Sequence, residues 1–101
     1  MIRLLARLIG PRLKVDHLKV TVYIRGECCC CHTAIAFLKG YQKHYRFAID
    51  LVDVDSDPAL VEAYGLTVPV VTIDGKVRFK GVVNQVLFDR LLAAEDARRR
   101  A

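Results

Sequence analysis

The sequence predicts an α/β fold, a four-stranded mixed sheet flanked by three helices in the order β-α-β-α-β-β-α, and three observations carry that prediction. Residues 19–25 (KVTVYIR) alternate in the β-branched and aromatic manner of a strand, and Ala34, Ile35, Phe37, Leu38 and Tyr41 then recur at helical spacing. A second strand-like run, FAIDLVDV within residues 46–54, leads into Ser56-Asp57-Pro58, a pattern that starts helices. Finally, Asp74-Gly75 joins two strand-like runs and favours the tight turn whose twist matches its flanking strands. A right-handed crossover makes the first two strands parallel, and the hairpin adds an antiparallel pair.

Each element has its own local reason. Gly26 ends the first strand, and a helix over about 29–44 follows, weakened by Gly40 toward its end. In the second strand Phe47, Ile49, Leu51, Val52 and Val54 are offered for burial, with acids between them. Ser56 or Asp57 caps the short second helix, Pro58 fits its first position, and Gly65 suits a left-handed stop after Tyr64. The hairpin pairs 68–73 (VPVVTI) with 76–81 (KVRFKG), and the last helix, about 84–94, offers Val86, Leu87, Leu91 and Leu92 as its buried face. Three segments result: a basic extension over 1–18 that forms a short helix or a frayed arm, one domain over 19–94, and a basic tail over 95–101.

Composition bounds the function. A chain of 101 residues, 53% hydrophobic, suffices for one compact core but not for two domains. The net charge of +5 is concentrated at the ends, in Arg3, Arg7, Arg12 and Lys14 and again in Arg98, Arg99 and Arg100, which reads as solvated termini with no nucleic-acid partner. No apolar run approaches the roughly 18 residues of a membrane span, and Arg7 interrupts residues 4–9, so neither membrane insertion nor secretion is expected. The expectation is a cytoplasmic protein; oligomeric state is not encoded in any pattern here.

All four cysteines stand in one block, Cys28 to Cys31, which marks a chemical site and not a framework of structural staples. Cys28 and Cys31 have the C-x-x-C spacing and lie where the first strand passes into the first helix. The amides and partial positive charge of a helix N-terminus favour thiolate over thiol, lowering a cysteine pKa from about 8.5 toward roughly 7. Cys28 is therefore the expected nucleophile and Cys31 its resolving partner. Cys29, Cys30 and His32 are candidate modulators: the two middle cysteines add sulfur pairings, though adjacent cysteines close a strained ring, and His32 can favour the thiolate electrostatically. Arg25, with Lys80, is either a steering cation or part of a solvated strand edge.

The chain resembles the glutaredoxin and thioredoxin superfamily, most closely short bacterial glutaredoxin-like proteins in which a Y-x-R strand precedes C-x-x-C, as Tyr23-Ile24-Arg25-Gly26-Glu27-Cys28 does here. Thr67-Val68-Pro69, directly before a strand, matches the cis-proline loop of those proteins. The resemblance implies a thioredoxin-like fold and thiol–disulfide oxidoreductase activity without a resident cofactor or metal. It also implies that Pro69 lies opposite the sulfurs and that the Val68 main chain pairs with substrate, a disulfide-containing protein or glutathione. Glutathione as co-substrate would have to manage with Gly81-Val82-Val83-Asn84, where typical glutaredoxins carry Gly-Gly and an acidic or hydroxyl residue. Val22 replaces the buried acid of thioredoxins and Glu27 their tryptophan.

Two other classes compete. Thiols beside His32 could ligate zinc, copper(I) or an iron–sulfur cluster, but five consecutive residues do not easily converge on one ion. A non-catalytic module would use the Pro69 groove only for binding, and would not need both sulfurs at the catalytic spacing. Asp50, Asp53, Asp55 and Asp57 read as strand-exit and capping residues before a calcium site.

Overall fold

The computed structural model describes residues 14–26 and 29–100, without the side chains of Cys29 and Arg100. Its elements are β1 (Lys19–Ile24), α1 (Cys29–Tyr45), β2 (Ala48–Asp53), a 3-10 turn (Val54–Ser56), α2 (Pro58–Tyr64), β3 (Val70–Ile73), β4 (Lys76–Lys80) and α3 (Gln85–Arg100). The sheet runs β2-β1-β3-β4, with β1 parallel to β2 and antiparallel to β3, and β3 antiparallel to β4. This is the predicted mixed sheet with three helices, in the predicted order.

Alternation along β1 sends Val20 and Val22 into the core with Val71 and Ile73 of β3. Leu38 of α1 and Phe88 and Leu92 of α3 cover that face, so α1 and α3 share one side of the sheet. Tyr23 points the other way and meets Tyr64 of α2, ring centroids 4.8 Å apart. Both faces of β3 are therefore covered, and all four of its residues are buried.

Helix α1 ends where Arg46 takes a left-handed φ of 66° and its N–H donates to the Gln42 carbonyl at 2.7 Å. Asp57, not Ser56, caps α2 by accepting the Ala59 N–H at 2.9 Å, and Pro58 takes the first position. The hairpin turn has positive φ at both Asp74 (52°) and Gly75 (88°), the combination that the Asp-Gly pair anticipates. Val71 faces Phe79 and Thr72 faces Val77, which leaves Arg78 as an extra, bulged residue.

Four expectations are corrected. Val54 is buried but belongs to the 3-10 turn, not to β2, and Leu51 stays 45% exposed because β2 lies at the sheet edge. Gly65 is right-handed (φ −55°), so its glycine serves space instead: a Cβ there would lie 2.5 Å from the Val61 carbonyl oxygen. The buried face of α3 is Phe88 and Leu92, while Val86 and Leu87 are exposed. Asn84 sets that phase by accepting the Leu87 N–H at 3.0 Å, and Phe88 then fills the space between α1 and the sheet, with ring contacts to Phe37, Tyr41, Phe47 and Phe79. Lastly, residues 95–100 are not a tail but continue α3.

That continuation reaches the other end of the chain. Glu95 and Asp96 are buried; Glu95 pairs with Arg98 and Arg78, while Asp96 accepts the Lys14 N–H at 3.0 Å and pairs with Arg99. Arg99 also donates to the Lys14 carbonyl. Val15 and Leu18 are buried in the core, so residues 14–18 of the basic extension belong to the fold; the rest of it lies outside the described residues. No helix among the described residues is long and apolar enough to cross a membrane.

Candidate active site

The cysteine block opens α1, whose first turn contains no acidic residue to oppose the positive end of the helix. Cys28 and Glu27 lie outside the described residues, and of Cys29 only the backbone is described. Cys31 is 2% exposed, whereas Cys30 and His32 are exposed on the same turn. A buried and an exposed thiol on adjacent residues differ in reach: Cys31 can meet only a group already inside the site.

The Val68–Pro69 peptide bond is cis, Pro69 is buried and Val68 is half-buried. The Pro69 carbonyl accepts the N–H of Gly81 at 2.8 Å, and Gly81 adopts a φ of 88° that a side chain would resist. Neither main-chain group of Val68 makes a backbone hydrogen bond to another described residue. Gly81 also lines a cleft of about 150 Å³ with Val82 and Val83, opposite Cys30, Thr33, Ala34 and Phe37 of α1. The proline loop and the first turns of α1 therefore meet through the β4–α3 connection.

Arg25, at the end of β1, is not a free steering cation. Its Nε and Nη2 grip the Asp55 carboxylate at 3.2 and 2.9 Å, and its Nη1 donates to the Gly65 carbonyl at 3.2 Å. The hydrogen bond from Arg25 holds the Asp55 carboxyl below its ordinary value of 3.8, and the same bond raises Arg25 further above its own. Sequence reading missed Asp55 as its partner, because nothing in local spacing connects positions 25 and 55. The cleft was missed as well; the apolar Val82-Val83 pair after a glycine was its one visible sign.

The other three acids named with Asp55 each have a local role. Asp50 pairs with Lys19, Asp53 accepts the Asp55 N–H at 2.9 Å, and Asp57 caps α2.

A strand-helix-strand unit followed by helix, hairpin and helix, with its cysteines at the first helix start and a cis-proline before the third strand, defines a thioredoxin-fold protein. Thioredoxin 1 from Thermosipho africanus superposes with a TM-score of 0.55 at 18% identity, over 79% of this chain and 98% of that one. Fasciola hepatica thioredoxin does so with 0.53 at 18%, over 92% and 89%. These likenesses show the fold. Protein Ne2328 from Nitrosomonas europaea is nearer, with a TM-score of 0.68 at 25% identity over 77% of this chain and 94% of that one. The sequence model of the Glutaredoxin-like domain (DUF836) matches residues 19–94, and the chain belongs to that family. No protein of the curated set matches the sequence significantly.

Proposed function

We propose that the protein is a thiol–disulfide oxidoreductase in which Cys28 attacks and Cys31 resolves. The Cys28 thiolate displaces one sulfur of a substrate disulfide, forming a mixed disulfide and releasing the first substrate thiol. Cys31 then loses its proton and attacks the Cys28 sulfur, releasing the second substrate thiol and closing the protein disulfide. Two electrons pass to the substrate, and a dithiol reductant restores the starting state. The observation that carries this reading is Cys31, buried in the first turn of α1 next to Cys30, which lines a cleft tied through Gly81 to the cis Val68–Pro69 loop. A resolving thiol benefits from such burial because it is shielded from other disulfides until the mixed disulfide forms.

The cleft favours a protein disulfide over glutathione as substrate. Its lining among the described residues is Ala34, Phe37, Val82 and Val83 with Cys30, Thr33 and Gly81, and these offer no ionised side chain to the two carboxylates and ammonium of glutathione. Arg25, the first residue after β1, is engaged by Asp55. An apolar side chain next to the scissile disulfide suits this surface, and the bare Val68 main chain suits the extended backbone that would carry it. We assign the activity to the cytoplasm, where such a dithiol rests reduced.

The test is a count of alkylated thiols by mass in graded redox buffers, joined to insulin reduction by wild type, Cys28→Ser and Cys31→Ser. We expect a reversible Cys28–Cys31 pair at a potential between roughly −270 and −120 mV. Cys28→Ser should be inactive, and Cys31→Ser should accumulate the mixed disulfide. Absence of a reversible pair would overturn the reading.

A further inference from the structure

The geometry points to Arg25 and Asp55 as positioning residues that set the height of the Val68–Pro69 loop, an inference that rests on the oxidoreductase reading for its functional meaning. Arg25 is the first residue after β1, so it belongs to the connection that carries the cysteine block. Its guanidinium uses both edges of its fork. One edge takes the Asp55 carboxylate in the turn after β2, and the remaining nitrogen reaches the Gly65 carbonyl at the end of α2. A single side chain thus joins the connections that leave β1, β2 and α2.

Both partners are themselves held. The Asp55 N–H donates to the Asp53 carboxylate at 2.9 Å, and the Gly65 N–H donates to the Val61 carbonyl at 2.8 Å. Between Gly65 and Pro69, which is buried and held by the Gly81 N–H, little else fixes the chain. Leu66 is 98% exposed and contributes no apolar anchor, while Thr67 is held by its N–H and hydroxyl on the Tyr64 carbonyl. Val68 and Pro69 come next, so the Arg25–Gly65 bond lies three residues from the main chain proposed to pair with substrate. The ion pair is partly exposed, with side chains 36% and 52% accessible, and such pairs add little to global stability. Its effect therefore belongs to the loop. A lysine would keep the charge but lacks the fork that reaches both partners at once.

Arg25→Gln and Arg25→Lys are compared with wild type by amide hydrogen exchange and by steady-state insulin reduction. Positioning predicts exchange at Gly65 and Thr67, whose amides are hydrogen-bonded, faster by about tenfold in both variants, with Val71 and Ile73 unchanged. It also predicts a KM for insulin raised about fivefold, with kcat within about twofold. Unchanged exchange in Arg25→Gln overturns the inference. So does full rescue by lysine, which would assign the role to charge, or a uniform rise across all amides, which would make the pair a general stabiliser. Wild-type protein without Cys28-dependent reduction defeats the proposed function alone, and the exchange data then decide the loop.

Discussion

Asp55 carries a readable acid signature. Its folded carboxyl lies below the ordinary 3.8 because it accepts hydrogen bonds from Arg25, with their mutual attraction adding to the effect. For an acid whose folded pKa is depressed, the stabilisation is present above the ordinary value and is lost as pH falls through the folded one. Any stability advantage of wild type over Asp55→Asn, small because the pair is exposed, should therefore be present above the ordinary carboxylate value and close as pH falls below it. Urea denaturation across that value reads the difference; parallel curves at every pH would remove the ion pair from the account. Tyr41 shows the opposite sense: burial and its hydrogen bond to Asp89 push its hydroxyl well above the ordinary 10.0, so α1 and α3 are joined by a group that stays protonated.

Among the elements, α1 offers a clean measurement. Gly40 lies inside it, exposed, with open space where a Cβ would go. Gly40→Ala should raise stability by about 0.5–1 kcal/mol, since the native backbone there suits alanine and only the freedom of the unfolded chain is reduced. A denaturation midpoint that fails to rise would mean that the glycine serves a contact or motion of α1. The elements were largely legible in the sequence because their signals are local: alternation in β1, Pro58 after its cap, Asp-Gly between β3 and β4. What escaped depends on partners distant in the chain. Leu51 alternates correctly yet lies on an edge strand, and the rotation of α3 follows from the Asn84 cap and the bulk of Phe88, not from the number of leucines. At the site, the Cys28-x-x-Cys31 spacing and the Val68–Pro69 loop could be read directly, whereas the Arg25–Asp55–Gly65 contacts and the cleft arise only when connections separated by 30 or 40 residues converge.

At the scale of the whole molecule, the two ends of the described chain hold each other. The Asp96 carboxylate, buried, receives the Lys14 N–H and Arg99. Asp96→Ala should cost about 2 kcal/mol, because a part-buried amide loses its acceptor and a guanidinium loses its partner. Chemical denaturation measures the cost, and exchange at Leu18 should quicken with it; a loss below about 0.5 kcal/mol would mean that Val15 and Leu18 hold the segment by apolar packing alone. Two buried acids thus gather three arginines at this end of the molecule, Glu95 taking Arg78 and Arg98 and Asp96 taking Arg99.

The strand order has one more consequence. Since β1 sits between β2 and β3, the first half of the chain supplies one neighbour of β1 and the second half supplies the other. A protease cutting at Leu66 would leave two fragments, each holding strands whose edges are completed only by the other. Neither fragment can close the sheet by itself, so a nicked chain should remain a single associated body, and the two halves should melt together.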